Sequence, residues 1–426
     1  MHHWQAELAA AARRPEADCV RELLPQARLA PAAQQAARAL AADLIVALRA
    51  QRRRASGVDA LMREFSLATQ EGVALMCLAE ALLRIPDTAT RDALIRDKLS
   101  RGDWRAHVGH STSLFVNAAA WGLMIGGQLL ATHSEGTLAA ALTRLLMRGG
   151  EPLLRAAVDL AMRLLGQQFV LGQSIKEALA RAQAGEARGY RYSFDMLGEA
   201  ALTAADAQRY FDAYAQAIEA VGAAARGRGV FDGPGVSVKL SALHPRYGRA
   251  QRERVLAELL PRLAHLARRA AAHDIGLTID AEESERLALS LEIFAALAAD
   301  AALAGWEGLG LAVQTYGKRA ALVIDFAAEL ARAQRRRFAV RLVKGAYWDS
   351  EIKRAQVEGQ TDYPVFTRKV HTDVSYLACA RRLLAAAHRL YPQFATHNAA
   401  TVAALLQMVR EAGAARWEFQ CLHGMG

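Results

Sequence analysis

The chain has 426 residues, 53% of them hydrophobic and 23% charged, with a formal net charge of +10. That apolar content can fill one large domain and a smaller one, which excludes a disordered chain. Cys19, Cys77, Cys379 and Cys421 show no C-x-x-C spacing, so they indicate neither a disulfide scaffold nor a structural zinc site and suit a reducing compartment.

The first residues lack a basic stretch followed by an apolar run and a cleavage site, so a cytoplasmic protein is expected. Residues 114–131 carry no charge, close to the minimum for a membrane span. They also hold Asn117, Gln128 and three glycines, and neither a second span nor flanking basic asymmetry supports insertion. A buried helix is the expectation. The arginines are dispersed except at 52–54 and 335–337, where no aromatics interleave, so the positive charge reads as solvated faces.

Up to about residue 184 apolar residues recur at spacings of three and four, as in Leu40, Leu44, Ile45, Leu48 and again in Leu75, Leu78, Ala79, Leu82. This predicts an all-helical arm and helical domain over 1–184. From 185 onward short apolar runs alternate with amphipathic helices. The runs cover 191–197, 236–243, 277–279, 309–313, 338–343, 394–396 and 418–422. Thr203 to Asp206 forms a capping-box start for a helix that carries Tyr210, Phe211, Tyr214, Ile218 and Val221 and stops at Gly222.

Apolar strands separated by helices are parallel and covered on both faces, which leaves a doubly wound sheet or a (β/α) barrel. Nearly every run ends in a polar residue: Asp195, Lys239, Asp280, Gln314, Lys344, His397 and Gln420. In a barrel all seven converge on the carboxyl-terminal mouth, where barrel enzymes do their chemistry. No G-x-G-x-x-G follows a strand, so a Rossmann nucleotide site is not expected. The predicted fold class is α/β, a TIM-type barrel behind a helical arm, with seven of the eight units of a (β/α)8 barrel in this chain.

Arg341 and Lys344 at the end of a strand, then Gly345, Tyr347 and Trp348, suit a flat, anionic, aromatic ligand, although a salt-bridged strand end explains them as well. Asp280, Glu282 and Glu283 offer an acid/base pair or a metal site, and metal is the weaker reading because the nearest histidine, His273, precedes the strand. Lys239 sits in apolar surroundings and needs an anionic partner, with Asp280 the obvious one, or acts as a Schiff-base former. His397 alone reads as a hydrogen-bonded structural residue, and its company at the mouth argues for function.

Eight stretches, 61–87, 191–208, 233–247, 279–287, 341–356, 363–370, 394–401 and 418–426, resemble the proline dehydrogenase barrel of the bifunctional flavoenzymes called proline utilization A. The resemblance implies FAD held non-covalently at the mouth and oxidation of L-proline to Δ1-pyrroline-5-carboxylate, with electrons passed to a membrane quinone. It places Lys239, Asp280, Arg341 and Tyr347 in catalysis, and Lys239, Asp280, Tyr347 and Leu422 against the substrate. Asp280, Ala281, Gln314, Arg341, Val343, Lys344, Gly345, Ala346, Tyr347 and Trp348 would line the FAD, joined by Thr367, Thr396, His397, Asn398, Gln420 and Cys421.

The family continues past His423 into an eighth strand and helix that grip the proline carboxylate and, further on, an aldehyde dehydrogenase half; neither is expected in this chain. Some members begin with a ribbon-helix-helix segment, and this chain looks to start beyond it, so no DNA partner is expected. Peripheral contact with the inner membrane remains compatible with the family. The competing readings are a lysine-dependent barrel lyase or aldolase built on Lys239 and a non-enzymatic basic binding protein.

Overall fold

The computed structural model describes residues 2–54, Thr90, 170–414 and 416–424. By internal contacts the chain divides into two compact units, one of residues 1–44 with 179–421 and the other of 45–178 with 422–426. The first unit therefore joins residues up to Leu44 to those from Leu179 onward, where the sequence suggested one boundary at 184. The uncharged stretch 114–131 and the helical spacing around Leu75 lie outside the described residues. Among the described residues no helix is long and apolar enough to cross a membrane.

Helices α1 (His2–Ala11), α2 (Glu16–Ala27) and α3 (Pro31–Arg54) come first, and α4 (Ile175–Glu186) leads into the barrel. Seven strands follow: β1 (Ser193–Asp195), β2 (Gly235–Val238), β3 (Gly276–Ile279), β4 (Leu309–Gln314), β5 (Phe338–Val343), β6 (Leu390–Ala395) and β7 (Glu418–Gln420). The long helices between them are α5 (Ala204–Ala225), α6 (Arg252–Ala272), α7 (Leu287–Ala298), α8 (Ala320–Gln334), α9 (Trp348–Val357), α10 (Lys369–Ala385) and α11 (Ala399–Ala412).

The strands pair in chain order, every pair parallel. The sheet is rolled: Arg341 of β5 bonds both Ser193 of β1 and Gln420 of β7. In a flat sheet, six strand spacings of about 4.8 Å would separate β1 from β7, far beyond one guanidinium.

Alternate residues explain the two faces. Val236, Val238, Leu277, Leu309, Phe338, Val340 and Leu342 are fully buried, as expected of strands covered by helices. Their neighbours Ser193, Asp195, Ser237, Lys239, Asp280, Gln314, Arg341, Gln393, Glu418 and Gln420 face the barrel interior, where they bond one another or the loops at its mouth.

Only β5 keeps its predicted ends; β1 and β7 shorten to 193–195 and 418–420, and two other strands differ in more than length. Residues Leu240–Leu243 form a helical turn directly after β2, so Lys239 sits at a strand-to-helix corner. Strand β6 begins at Leu390, four residues earlier than predicted, with Pro392 inside it. Thr396 donates to Gln420 of β7, and alternation puts the missing Pro392 N–H on that same side. The β6–β7 ladder starts only at Gln393, so no bond is lost.

The capping box of α5 forms, with Thr203 accepting from the Asp206 N–H and Asp206 accepting in return. The helix runs past Gly222 to Ala225 and closes on Arg226 in the left-handed region. Gly222 lies inside the helix at a point where His273 packs, 2.2 Å from where a Cβ would be, which explains the glycine there. Helix α2 lays Cys19, Leu23 and Ala27 against Phe366 and Ala378, which ties the arm to α10.

Candidate active site

Strand alternation sends Asp195, Lys239, Asp280 and Arg341 into the carboxyl-terminal half of the barrel, where they form one ionic cluster. The Lys239 ammonium donates to both oxygens of Asp195 at 2.7 and 2.8 Å, and to Asp280 Oδ2 at 3.2 Å. Arg341 Nη1 donates to Asp280 Oδ1 at 2.9 Å and to Ser237 Oγ at 2.8 Å. Its Nη2 donates to Ser193 Oγ at 2.9 Å and its Nε to Gln420 Oε1 at 2.7 Å. The side chains of Lys239, Asp280 and Arg341 are each about 15% exposed, whereas Asp195 is half exposed.

Burial alone would push Lys239 down, but the charges of Asp280 and Asp195 outweigh it and hold the ammonium above its ordinary range. A lysine so held stays protonated and is a poor imine former, because attack on a carbonyl needs the neutral amine. Burial, then the charge of Asp280, raises Asp195, against the pull of Lys239. Two cations and two carboxylates leave the cluster balanced.

The three carboxylates after β3 divide: Asp280 goes to the barrel cluster, while Glu282 and Glu283 share Arg286. Asp280 joins the cluster, Glu282 accepts from the Ser241 N–H at 3.1 Å and pairs with Arg286, and Glu283 pairs with Arg286 as well. Burial raises Glu282, partly opposed by Ser241. Among the described residues no group of three or more His, Cys, Asp or Glu is arranged to hold a metal ion.

The stretch after β5 splits in two. Arg341 lies two residues inside the strand and faces the interior, while Lys344 reaches Asp373 of α10 at 2.6 Å and Thr401 of α11 at 3.4 Å. Lys344 is therefore already balanced by a carboxylate. Gly345 has φ +144° and its absent Cβ would lie 2.5 Å from the Tyr316 ring, so the backbone approach that needs glycine is to Tyr316. Gln314 fastens the turn, donating to Glu282 O at 2.8 Å and accepting from the Ala346 N–H at 2.9 Å.

Tyr347 is half buried with its hydroxyl 3.4 Å from Glu199, and burial, then Glu199 and Glu282, raise its phenol. Trp348 is exposed and donates to Phe366 O at 2.9 Å. Val343 is the last residue of β5, and Ala281 follows Asp280 in the β3–α7 loop.

On the far side of the mouth, Thr396 donates its N–H to Gln420 O and Asn398 caps α11, accepting from the Thr401 N–H at 2.9 Å. His397, Asn398 and Cys421 are exposed. Leu422 is exposed too and falls in the second unit. Thr367 gives its N–H and hydroxyl to Glu16 of α2 at 3.1 and 2.8 Å, and His371 pairs with the same carboxylate.

Burial pushes Glu16 up, yet the bonds from His371 and Thr367 outweigh it and leave the carboxyl below its ordinary value of 4.5. A lowered carboxyl contributes stability that is complete above pH 4.5 and lost as pH falls through its folded value. Glu16→Gln is therefore expected to cost roughly 2 kcal/mol at pH 7. The gap in melting temperature from the parent chain should close as pH drops below 4.5; a gap independent of pH would refute this.

The strand-end pattern located Asp195, Lys239, Asp280 and Gln420 in one bonded group, with Gln314 fastening the neighbouring turn. It left out Ser193, Ser237 and Glu418, although each stands two residues before one of those polar ends, a period-two signal of an interior face. Asp195 is the closer partner of Lys239, with Asp280 the second.

An all-parallel barrel with its ionic cluster at the carboxyl ends of the strands is the arrangement of a barrel enzyme. The chain belongs to the proline dehydrogenase family: residues 178–426 match the family model described as proline dehydrogenase. Residues 5–49 match the proline utilization A proline dehydrogenase N-terminal domain.

Bifunctional protein PutA of Escherichia coli is 58% identical over 426 residues, covering 99% of this chain and 32% of that protein. Bifunctional protein PutA of Rhizobium meliloti is 55% identical over 421 residues, 98% of this chain and 34% of that one. A crystal structure of bifunctional proline utilization A superposes with a TM-score of 0.73 at 50% identity, covering 97% of this chain and 41% of that one. The chain thus spans about a third of the length of the curated relatives it matches.

Residues 57–169 match a model described as the DNA-binding domain of proline dehydrogenase. The expectation of a chain without any such segment is corrected by this match, which falls almost wholly outside the described residues.

Proposed function

We propose that this chain oxidises L-proline to Δ1-pyrroline-5-carboxylate with FAD as cofactor and a quinone as final electron acceptor, the opening step of proline breakdown to glutamate. The observation that carries the reading is the charge-balanced cluster of Asp195, Lys239, Asp280 and Arg341 at the mouth of a proline dehydrogenase barrel. A zwitterionic amino acid requires both signs of charge within a few ångströms, and these four side chains supply them without net repulsion.

The residues fit FAD in two respects. Arg341 keeps one Nη2 N–H without a partner among the described residues, a donor available to an electron-rich ring or carbonyl. Gly345, Ala346, Trp348, Thr367, His397 and Asn398 are each exposed as well, which suits an extended ligand. Bound there, FAD supplies the acceptor for the hydride leaving the proline carbon next to nitrogen.

The chain's own task is placement and charge. Lys239 and Asp280 orient the substrate, Tyr347 walls it, and Arg341 favours negative charge on the ligand beside it. Lys344, tied to Asp373, contributes field more than direct contact. We place the protein in the cytoplasm, with peripheral contact at the inner membrane where the quinone resides.

Adding FAD to the purified chain should give a yellow protein whose flavin absorbance bleaches on addition of L-proline under anaerobic conditions. A folded chain that takes up no FAD would sink the reading. Borohydride trapping of a carbonyl compound on Lys239 would favour a lyase instead.

A further inference from the structure

We infer that Glu418 is a positioning residue for the proposed cofactor site, fixing the amide of Gln420 and through it the guanidinium of Arg341. The inference rests on the FAD reading of the mouth. Glu418 opens β7 with its side chain inside the barrel, only 18% exposed. Its Oε1 accepts from Gln420 Nε2 at 2.7 Å and from Gln393 Nε2 at 2.9 Å, and its Oε2 accepts from the Tyr391 hydroxyl at 3.0 Å. Arg191 Nη2 stands 3.9 Å away, so the charge has a distant counter-ion as well.

A glutamine amide presents an acceptor on one side and a donor on the other, and either way round fits the same space. Here the choice is forced from both ends. A carboxylate can only accept, so Glu418 draws the Gln420 NH2 group toward itself. The carbonyl oxygen of Gln420 is then aimed at Arg341 Nε, which can only donate, at 2.7 Å. With Nε held there, Nη1 held by Ser237 and Asp280, and Nη2 held by Ser193, the guanidinium plane is fixed. Its one remaining N–H takes a defined direction.

Without Glu418 the amide is held from one end only and is free to swing off the Nε direction. The guanidinium then loses its fixed plane, and the free N–H its fixed direction. None of these steps requires Glu418 to touch the cofactor.

FAD titration into the cofactor-free chain, followed by flavin fluorescence and the visible spectrum, tests the relay. Glu418→Met removes the acceptor and should weaken FAD about tenfold and shift the flavin absorbance bands, the effect of one misplaced charge-assisted bond. Adding Gln420→Glu to that variant gives Arg341 Nε an oxygen whichever way the side chain turns, so binding should return to within about threefold of the parent. Glu418→Gln keeps a carbonyl acceptor in place and should also stay within about threefold.

Unchanged binding in Glu418→Met overturns the inference, as does a double variant that is folded and no better than the single one. A tenfold loss in Glu418→Gln overturns it too, because charge and not orientation would then be at stake. If the parent chain itself takes up no FAD, the cofactor reading fails and this inference with it.

Discussion

Replacing Lys239 by methionine is expected to abolish proline-dependent flavin reduction and to lower the stability of the barrel by roughly 3 kcal/mol, a cost typical of breaking a buried ion pair from one side. The lower end of that range applies because Asp195 is half exposed. In the parent chain the ammonium separates Asp195 from Asp280 and bonds both; methionine fills the space and leaves two carboxylates facing each other. One of them would have to take up a proton.

The sign of the pH dependence follows from linkage. A carboxyl raised in the folded state binds more protons than in the unfolded chain, so stability of the variant rises as pH falls. The deficit relative to the parent should be large at pH 8 and smaller at pH 5, in melting curves of the two proteins side by side. A deficit independent of pH would mean that Lys239 supports the fold by packing alone. Loss of activity with no loss of stability would mean that the cluster is formed only when substrate is bound.

Arg341→Lys is expected to have the larger effect on the cofactor, lowering FAD affinity by about a hundredfold, the equivalent of roughly 3 kcal/mol. Charge is retained, but an ammonium cannot reach Ser193, Ser237, Asp280 and Gln420 at once as the guanidinium does. Those groups come from β1, β2, the residue after β3 and β7, so Arg341 also closes the interior of the sheet on itself. Melting temperature should fall by several degrees, since at least two interior polar groups lose their partner. Wild-type FAD affinity in the lysine variant would show that the fork of the guanidinium is dispensable.

The sequence by itself determined a good deal. Period-two alternation in β5, with Phe338, Val340 and Leu342 fully buried against Ala339, Arg341 and Val343, follows from local chemistry. So does the capping box at Thr203 and Asp206, and so does the run of polar residues at the strand ends, because each is written in neighbouring positions. The motif stretches, read as a resemblance, reached the family that the model match over 178–426 carries.

Only the tertiary structure decided the pairings. Lys239 lies 44 residues from Asp195 and 41 from Asp280 in the chain, and nothing local says which carboxylate it reaches first. Lys344 and Arg341, three residues apart, look like one cationic patch in the sequence. Alternation alone puts them on opposite faces, and the fold decides only what each meets: the barrel cluster for Arg341 and Asp373 on α10 for Lys344. Gly345 is set by the ring of Tyr316, which belongs to another turn. Strand periodicity fixes the face on which a side chain emerges, and the rolling of the sheet fixes what it meets there. The second depends on contacts tens of residues apart, which a local pattern cannot encode.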